Sequence, residues 1–339
     1  MEKYFPRSTT AAVRGVSAIV IIFCHLGRTM IARIANPLPL FENYATLAVG
    51  LFFFYTGYNL IAAYVSMGGE WKRGFWRKKL LGIYLPFVIC NVFYQFYYWA
   101  LKIGPYDAPR ILYFAFGGYL MNPDEWYIQS CMIVYFLTFL LLFASDIILK
   151  NRKLSGVALT AVSIAVLIVY SLIYSARGTY ISAESVLPLS LTAGMITASF
   201  GETLLRIWEK HKWAVAVVLF FLLAYINYAL WHGLKPQMLL GVNVFEVLPV
   251  LLEVLMINSL IIGETFSSRF LGTVSRYSLY MYLTHSLLYR LYRSDLIYIK
   301  NDFVYVLVYL ISVCAASFLL GTLTERIMKA AKKDSTVTA

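Results

Sequence analysis

The sequence predicts an all-α polytopic membrane bundle of about ten transmembrane helices, with both termini in the cytoplasm. Three observations carry that prediction. Of 339 residues, 60% are apolar and 14% charged, against roughly a quarter charged in a soluble protein. The apolar residues come in runs of about 20, the length that about 1.5 Å per residue needs to cross a hydrocarbon core of about 30 Å. The basic residues fall in short clusters between those runs, more densely on alternate sides. Too little polar surface remains to cover a globule in water, which excludes a soluble enzyme, a secreted domain and a disordered regulator.

The predicted spans are residues 11–31, 45–65, 80–101, 126–148, 156–175, 186–200, 213–231, 244–262, 277–292 and 303–323. The spans at 186–200 and 277–292 are short. A further apolar stretch, 110–121, is too short to cross and reads as re-entrant or interfacial. The first apolar run continues past Arg14 with no small-residue cleavage site and reads as a retained helix. Residues 1–325 form one transmembrane domain, and residues 326–339 a short polar cytoplasmic tail. Setting aside Arg14 inside the first span, 19 of the Lys and Arg residues fall at the termini and even-numbered loops and nine, counting Arg28 at the end of the first span, on the opposite side. The positive-inside rule then places both termini in the cytoplasm. The net charge of +12 is read as topology signals and phospholipid contacts rather than a nucleic-acid surface, because no continuous basic face exists. Four widely spaced cysteines, each inside an apolar run, fit buried small side chains and neither a disulfide framework nor a metal site.

Arg14 and His25 share the first span. Eleven residues at about 100° each bring them within about 20° of the same face, about 16 Å apart along the axis. Ionisable side chains inside a span are costly and normally face a bundle interior or a water-filled cavity. Arg14 is also placed to snorkel to the cytoplasmic surface, and a lone interior histidine can simply bond a helix carbonyl. Glu246 and Glu253 lie on one face of the eighth span, with Glu253 near mid-bilayer, where a carboxylate needs a partner or a proton. Glu253 could orient His25, pair with Arg14, or stay neutral beside Asn227 or Asn258. Gly50 and Gly57, seven residues apart, share a helix face suited to close approach by another helix or by a thin ligand. Trp126, at the predicted outer boundary, suits an interfacial belt or a stack against a sugar.

The stretch from Arg14 to His25, Arg-x10-His, resembles the signature of the membrane acyltransferase-3 family. Gly50-Leu51-Phe52-Phe53-Phe54-Tyr55-Thr56-Gly57-Tyr58 is similar to the family's second-helix pattern, with Thr56 in place of the usual Ser. Trp76-Arg77-Lys78-Lys79-Leu80-Leu81-Gly82-Ile83-Tyr84-Leu85-Pro86 resembles its basic cluster before Arg-Ile-x-Pro, departing at Gly82. Glu125-Trp126-Tyr127-Ile128 resembles a later segment. Ser278-Leu279-Tyr280-Met281-Tyr282-Leu283-Thr284-His285 resembles the penultimate helix, where His285 is expected to be structural. The resemblance runs in order along essentially the whole chain.

It implies a bacterial envelope enzyme of the plasma (inner) membrane that moves an acyl group, usually acetyl from acetyl-CoA, onto a hydroxyl of a cell-surface glycan or lipid-linked sugar. His25 is then the general base or an acyl carrier. Arg14 would hold the thioester end of the donor, Arg77, Lys78 and Lys79 its phosphates, Gly50 and Gly57 its pantetheine arm, and Trp126 the sugar. An imidazole suits base catalysis near neutral pH, and cations suit coenzyme A phosphates. Acetyl-CoA is expected as donor, with no metal; the bilayer, a glycan acceptor and glycan-biosynthesis proteins are the expected partners, and nucleic acid is not. A polysaccharide or solute transporter using the same ionisable residues stays open at this point, as does a membrane sensor or scaffold.

Overall fold

The computed structural model describes residues 3–30, 39–67, 71–75, 81–102, 122–148, 154–176, 188–232, 238–239 and 242–337. In chain order the elements are α1 Arg7–Thr29, α2 Pro39–Met67, the short α3 Trp71–Phe75, α4 Gly82–Ala100, a 3₁₀ turn Pro123–Glu125, α5 Trp126–Ile148, α6 Gly156–Ala176, α7 Pro188–Lys210, α8 Lys212–Trp231, β1 Met238–Leu239, β2 Val242–Asn243, α9 Val244–Ile261, α10 Arg269–Leu291 and α11 Asp302–Val337. Each of the ten predicted spans is met by one of the long helices. The 110–121 stretch lies outside the described residues. A two-residue antiparallel pairing of β1 with β2 and an isolated antiparallel bridge between Arg293 and Tyr298 add to the helical pattern among them.

Among the described residues, six helices are long and apolar enough to cross a membrane, those around Arg7–Thr29, Tyr44–Met67, Trp126–Ile148, Gly156–Ile173, Lys212–Ala229 and Asp302–Ala330. The helix α8 shows why such a chain avoids water: Val217, Val218, Phe220, Phe221 and Tyr225 on it are all more than half exposed, an outward apolar face that only lipid satisfies. Polar side chains inside helices return their hydrogen bonds to the preceding turn. Ser145, Ser163, Ser199 and Ser259 each donate to the carbonyl four residues back at 2.8 Å, which removes the cost of a bare hydroxyl in an apolar setting. Gly201, at φ 57°, breaks the helical path of α7, where the predicted apolar run ends, and the helix then resumes to Lys210. The last helix continues to Val337, through most of the predicted polar tail.

The chain divides into two compact units. One holds residues 1–17, 45–72 and 133–272. In it α2 meets α7 at two glycines: a Cβ on Gly57 would stand 2.0 Å from the Leu191 carbonyl oxygen, and one on Gly194 2.0 Å from that of Phe54. Phe5 sets its ring edge-on to Phe54, Tyr55, Tyr58 and Trp208. Tyr55 Oη donates to Asn258 Oδ1 at 2.9 Å and Trp208 Nε1 to Ser259 Oγ at 2.8 Å, so these four buried polar groups are paired. Lys72 Nζ lies 3.0 Å from Asp146, which also accepts from Tyr64 at 2.8 Å.

The second unit holds residues 18–44, 73–132 and 273–339. Its cores are Phe87, Cys90, Tyr94, Ile128, Leu283 and Leu320, and Ile22, Leu26, Tyr305, Tyr309 and Val313. The Cys90 thiol donates to the Leu283 carbonyl at 3.0 Å. Arg276 on α10 pairs with Glu325 on α11 at 2.8 Å.

Candidate active site

Within this second unit three segments converge on one polar cluster. The C-terminal turns of α1 bring His25, whose side chain is only 16% exposed. The 3₁₀ turn ahead of α5 brings Asp124, and α10 brings Tyr282, His285, Tyr289 and Arg290. The turn is set locally: Asn122 Oδ1 accepts the backbone N–H of Asp124 at 3.1 Å, and the Asn122 carbonyl accepts that of Glu125 at 3.0 Å, the self-bonding habit of asparagine at turns.

Asp124 divides its two oxygens. Oδ2 accepts from Tyr289 Oη at 2.5 Å and from Arg290 at 3.3 Å. Oδ1 stands 3.9 Å from His25 Nδ1, and Tyr282 Oη donates to the Asp124 backbone carbonyl. The His25 ring lies parallel to that of Tyr289 at 6.2 Å and 4.8 Å from the ring of His285. His285 is fully buried; its Nδ1 lies 2.6 Å from the Tyr282 carbonyl. That bond places the proton on Nδ1 and leaves Nε2 an acceptor with no partner among the described residues.

The two neighbouring carboxyls are driven apart. Burial pushes Asp124 upward, but the His25 charge, the Tyr289 hydrogen bond, His285 and Arg290 together outweigh it and hold its pKa below the ordinary value. Burial raises Glu125 to about 8, helped by the negative Asp124 and opposed by hydrogen bonds from Asn91 and Asn122. Asp124 is therefore ionised and Glu125 mostly neutral near pH 7, the separation of roles by environment that acid–base sites use. Behind them Asn91 Nδ2 donates to Glu125 Oε2 at 3.2 Å, and the Tyr94 and Ser286 hydroxyls lie 2.5 Å apart.

An imidazole with a carboxylate at Nδ1 presents Nε2 as a base. The 3.9 Å separation is looser than a hydrogen bond, as is common before substrate closes a site. A family comparison bears on this geometry: an acyltransferase domain matches residues 11–322, spanning both Arg14 and His25 and every element of the cluster. The chain belongs to the acyltransferase-3 family. Neither the curated proteins nor the solved structures yield a match.

The other residues nominated in this acyltransferase fall as follows. Arg14 is partly buried on α1, and its Nε donates to the Thr10 carbonyl at 3.4 Å; one uninterrupted helix carries it and His25. Glu253 lies partly buried on α9, in the other unit from His25. The carboxylate facing His25 is Asp124. Gly57 is occupied by close packing against α7, and Gly50 is buried on the same helix. Trp126 opens α5 two residues after Asp124, its ring edge-on to Tyr127 at 6.5 Å. Arg77, Lys78 and Lys79 lie outside the described residues. Sequence reasoning did not single out Asp124; His285, which it expected to be structural, is fully buried and bonded to its own helix. A signal for Asp124 existed: an acidic pair, Asp124-Glu125, opens a span at the predicted outer boundary, the level at which His25 also sits.

Proposed function

We propose that this acyltransferase moves an acetyl group from cytoplasmic acetyl-CoA to a hydroxyl of a cell-surface glycan or lipid-linked sugar, in a bacterial plasma membrane with both chain termini in the cytoplasm. The single observation that carries the reading is the Asp124–His25 pair inside a family-matched bundle. His25 Nε2 takes the proton of the acceptor hydroxyl as its oxygen attacks the thioester carbonyl. A C–O bond forms, the C–S bond breaks, and the proton passes from His25 to the departing thiolate. Asp124 keeps the His25 proton on Nδ1 and offsets the imidazolium charge, while Tyr289 and Arg290 hold Asp124. Arg14, on the same α1 face toward the cytoplasmic end, guides the thioester arm of the donor, and Arg77, Lys78 and Lys79 supply charge-assisted contacts to its phosphates. Glu253 and Trp126 keep supporting roles in this reading, for Arg14 and the sugar respectively.

The test is transfer of labelled acetyl from acetyl-CoA in membranes carrying the full chain. His25→Ala lowers the rate by about 10²–10⁴-fold, the usual weight of a general base, with the protein inserted at the normal level. Asp124→Asn lowers kcat by at least about tenfold with the KM for acetyl-CoA little changed, since it acts through His25. Full activity in His25→Ala removes that residue from the mechanism.

A further inference from the structure

His285 holds one buried nitrogen that its own helix leaves unsatisfied. The residue is fully buried, and its Nδ1 bonds the Tyr282 carbonyl at 2.6 Å. The Met281 carbonyl also faces the ring. Carbonyls accept and cannot donate, so neither serves an Nε2 that is itself an acceptor. That Nε2 has no partner among the described residues, and a buried polar atom left bare is costly.

Among the described residues three rings stand against it: His25 at 4.8 Å, Tyr282 at 5.6 Å and Tyr289 at 6.3 Å between centroids. Each tyrosine has one hydroxyl proton, and both protons are given to Asp124, by Tyr289 to Oδ2 and by Tyr282 to the backbone carbonyl. His25 is the ring that remains, and it has a donor to offer in only part of its cycle. Neutral, with its proton on Nδ1 toward Asp124, it presents Nε2 as a lone pair, and two lone pairs do not bond. Once it takes up a proton, both of its nitrogens donate. A spacing of 4.8 Å between rings tilted by 57° brings their edges within hydrogen-bond reach after a small turn about the His25 χ2, a broad torsion in histidine. We infer that His285 Nε2 is the acceptor for protonated His25, which makes His285 a positioning residue for the imidazolium formed when the acyl acceptor gives up its proton. Full burial keeps His285 from the substrate, so it acts through His25. The proton stays on His25 Nε2, held in that hydrogen bond, until the C–S bond breaks and the departing thiolate takes it. The inference rests on the transferase reading above and adds a second imidazole to it.

The experiment separates the two nitrogens of His285. In His285→Asn the side-chain amide N–H stands in for Nδ1 and keeps the bond to the Tyr282 carbonyl, while nothing replaces Nε2. In His285→Gln the longer side chain carries its amide oxygen to the level of Nε2 and restores an acceptor there. Transfer of labelled acetyl from acetyl-CoA is measured in membranes of the producing cell carrying the full chain at matched levels, beside the melting temperature of each purified protein. His285→Asn is expected to lower kcat at least about tenfold, the weight of a hydrogen bond to a charged group, with the KM for acetyl-CoA and the melting temperature little changed. His285→Gln is expected to recover most of that rate. A histidine that serves only its own helix gives the opposite order, with His285→Asn as active as the wild type. That result overturns the inference, as does an equal loss in both variants. The two failures read differently: a His25→Ala protein that still labels the membranes sinks the transferase reading, while an inactive His25→Ala protein beside a fully active His285→Asn protein sinks the role of His285 alone.

Discussion

Asp124 and Glu125 are neighbours in the chain, yet one is held ionised and the other protonated. Glu125 is fully buried, and its Oε1 has no partner among the described residues, so its charge is costly and its proton is kept. This has a pH consequence with a definite sign. Unfolded, the carboxyl titrates near 4.5; folded, near 8. Below the first value both states hold the proton, and the folded state keeps its full stability. Between the two values the unfolded chain releases its proton and the folded one does not, so stability falls as pH rises, until the loss is complete above about 8. The total is on the order of a few kcal/mol. Melting temperature in detergent is expected to fall between about pH 5 and pH 8, and Glu125→Gln, neutral throughout, is expected to flatten that slope. An identical slope in the variant would place the pH sensitivity elsewhere. None of this separation was legible in the sequence, where the two carboxyls differ only by one position.

At the scale of elements, the meeting of α2 and α7 depends on having no side chain at Gly57 and Gly194. Backbone oxygens stand where each Cβ would go, and a carbonyl in a helix cannot swing aside as a flexible side chain would. Gly57→Ala must separate the helices, at a cost of about 1–3 kcal/mol or more, measured as a lower melting temperature of the purified protein. Gly194→Ala belongs to the same contact and is expected to give a similar loss, with the double variant less than additive. A Gly57→Ala protein as stable as the wild type would show that the helices have room to give. The seven-residue spacing of Gly50 and Gly57 was readable as a face for close approach, but whether a helix or a ligand occupies it was not, because that depends on which helix is the neighbour. The α1 face carrying Arg14 and His25 was more legible, since helical periodicity alone fixes it.

For the molecule as a whole, the expected path of the reaction runs from one membrane face to the other, with donor and acceptor approaching His25 from opposite ends of α1. In the proposed orientation, the charge bias of the loops puts the cationic cluster Arg77, Lys78 and Lys79 on the cytoplasmic side. Charge reversal at Arg77 and Lys78 is accordingly expected to raise the KM for acetyl-CoA by about tenfold, each lost phosphate contact being worth about 1 kcal/mol or more. Kinetics at matched membrane levels check it, and an unchanged KM would return the cluster to topology alone.

The sequence by itself determined the helical bundle and the ten long helices found among the described residues, and it singled out His25 as the ionisable group deep in the first span. Each depends on a local quantity: the length of an apolar run against the thickness of a bilayer, or the cost of an ionisable group within one helix. Only the tertiary structure decided that Asp124 faces His25 and that His285 stands beside it. Those facts join side chains as far apart as Tyr289 and Asp124, 165 positions along the chain. Helices of nearly uniform apolar character carry little one-dimensional record of which neighbours they choose; steric fit at glycines and the pairing of buried polar groups make that choice in three dimensions.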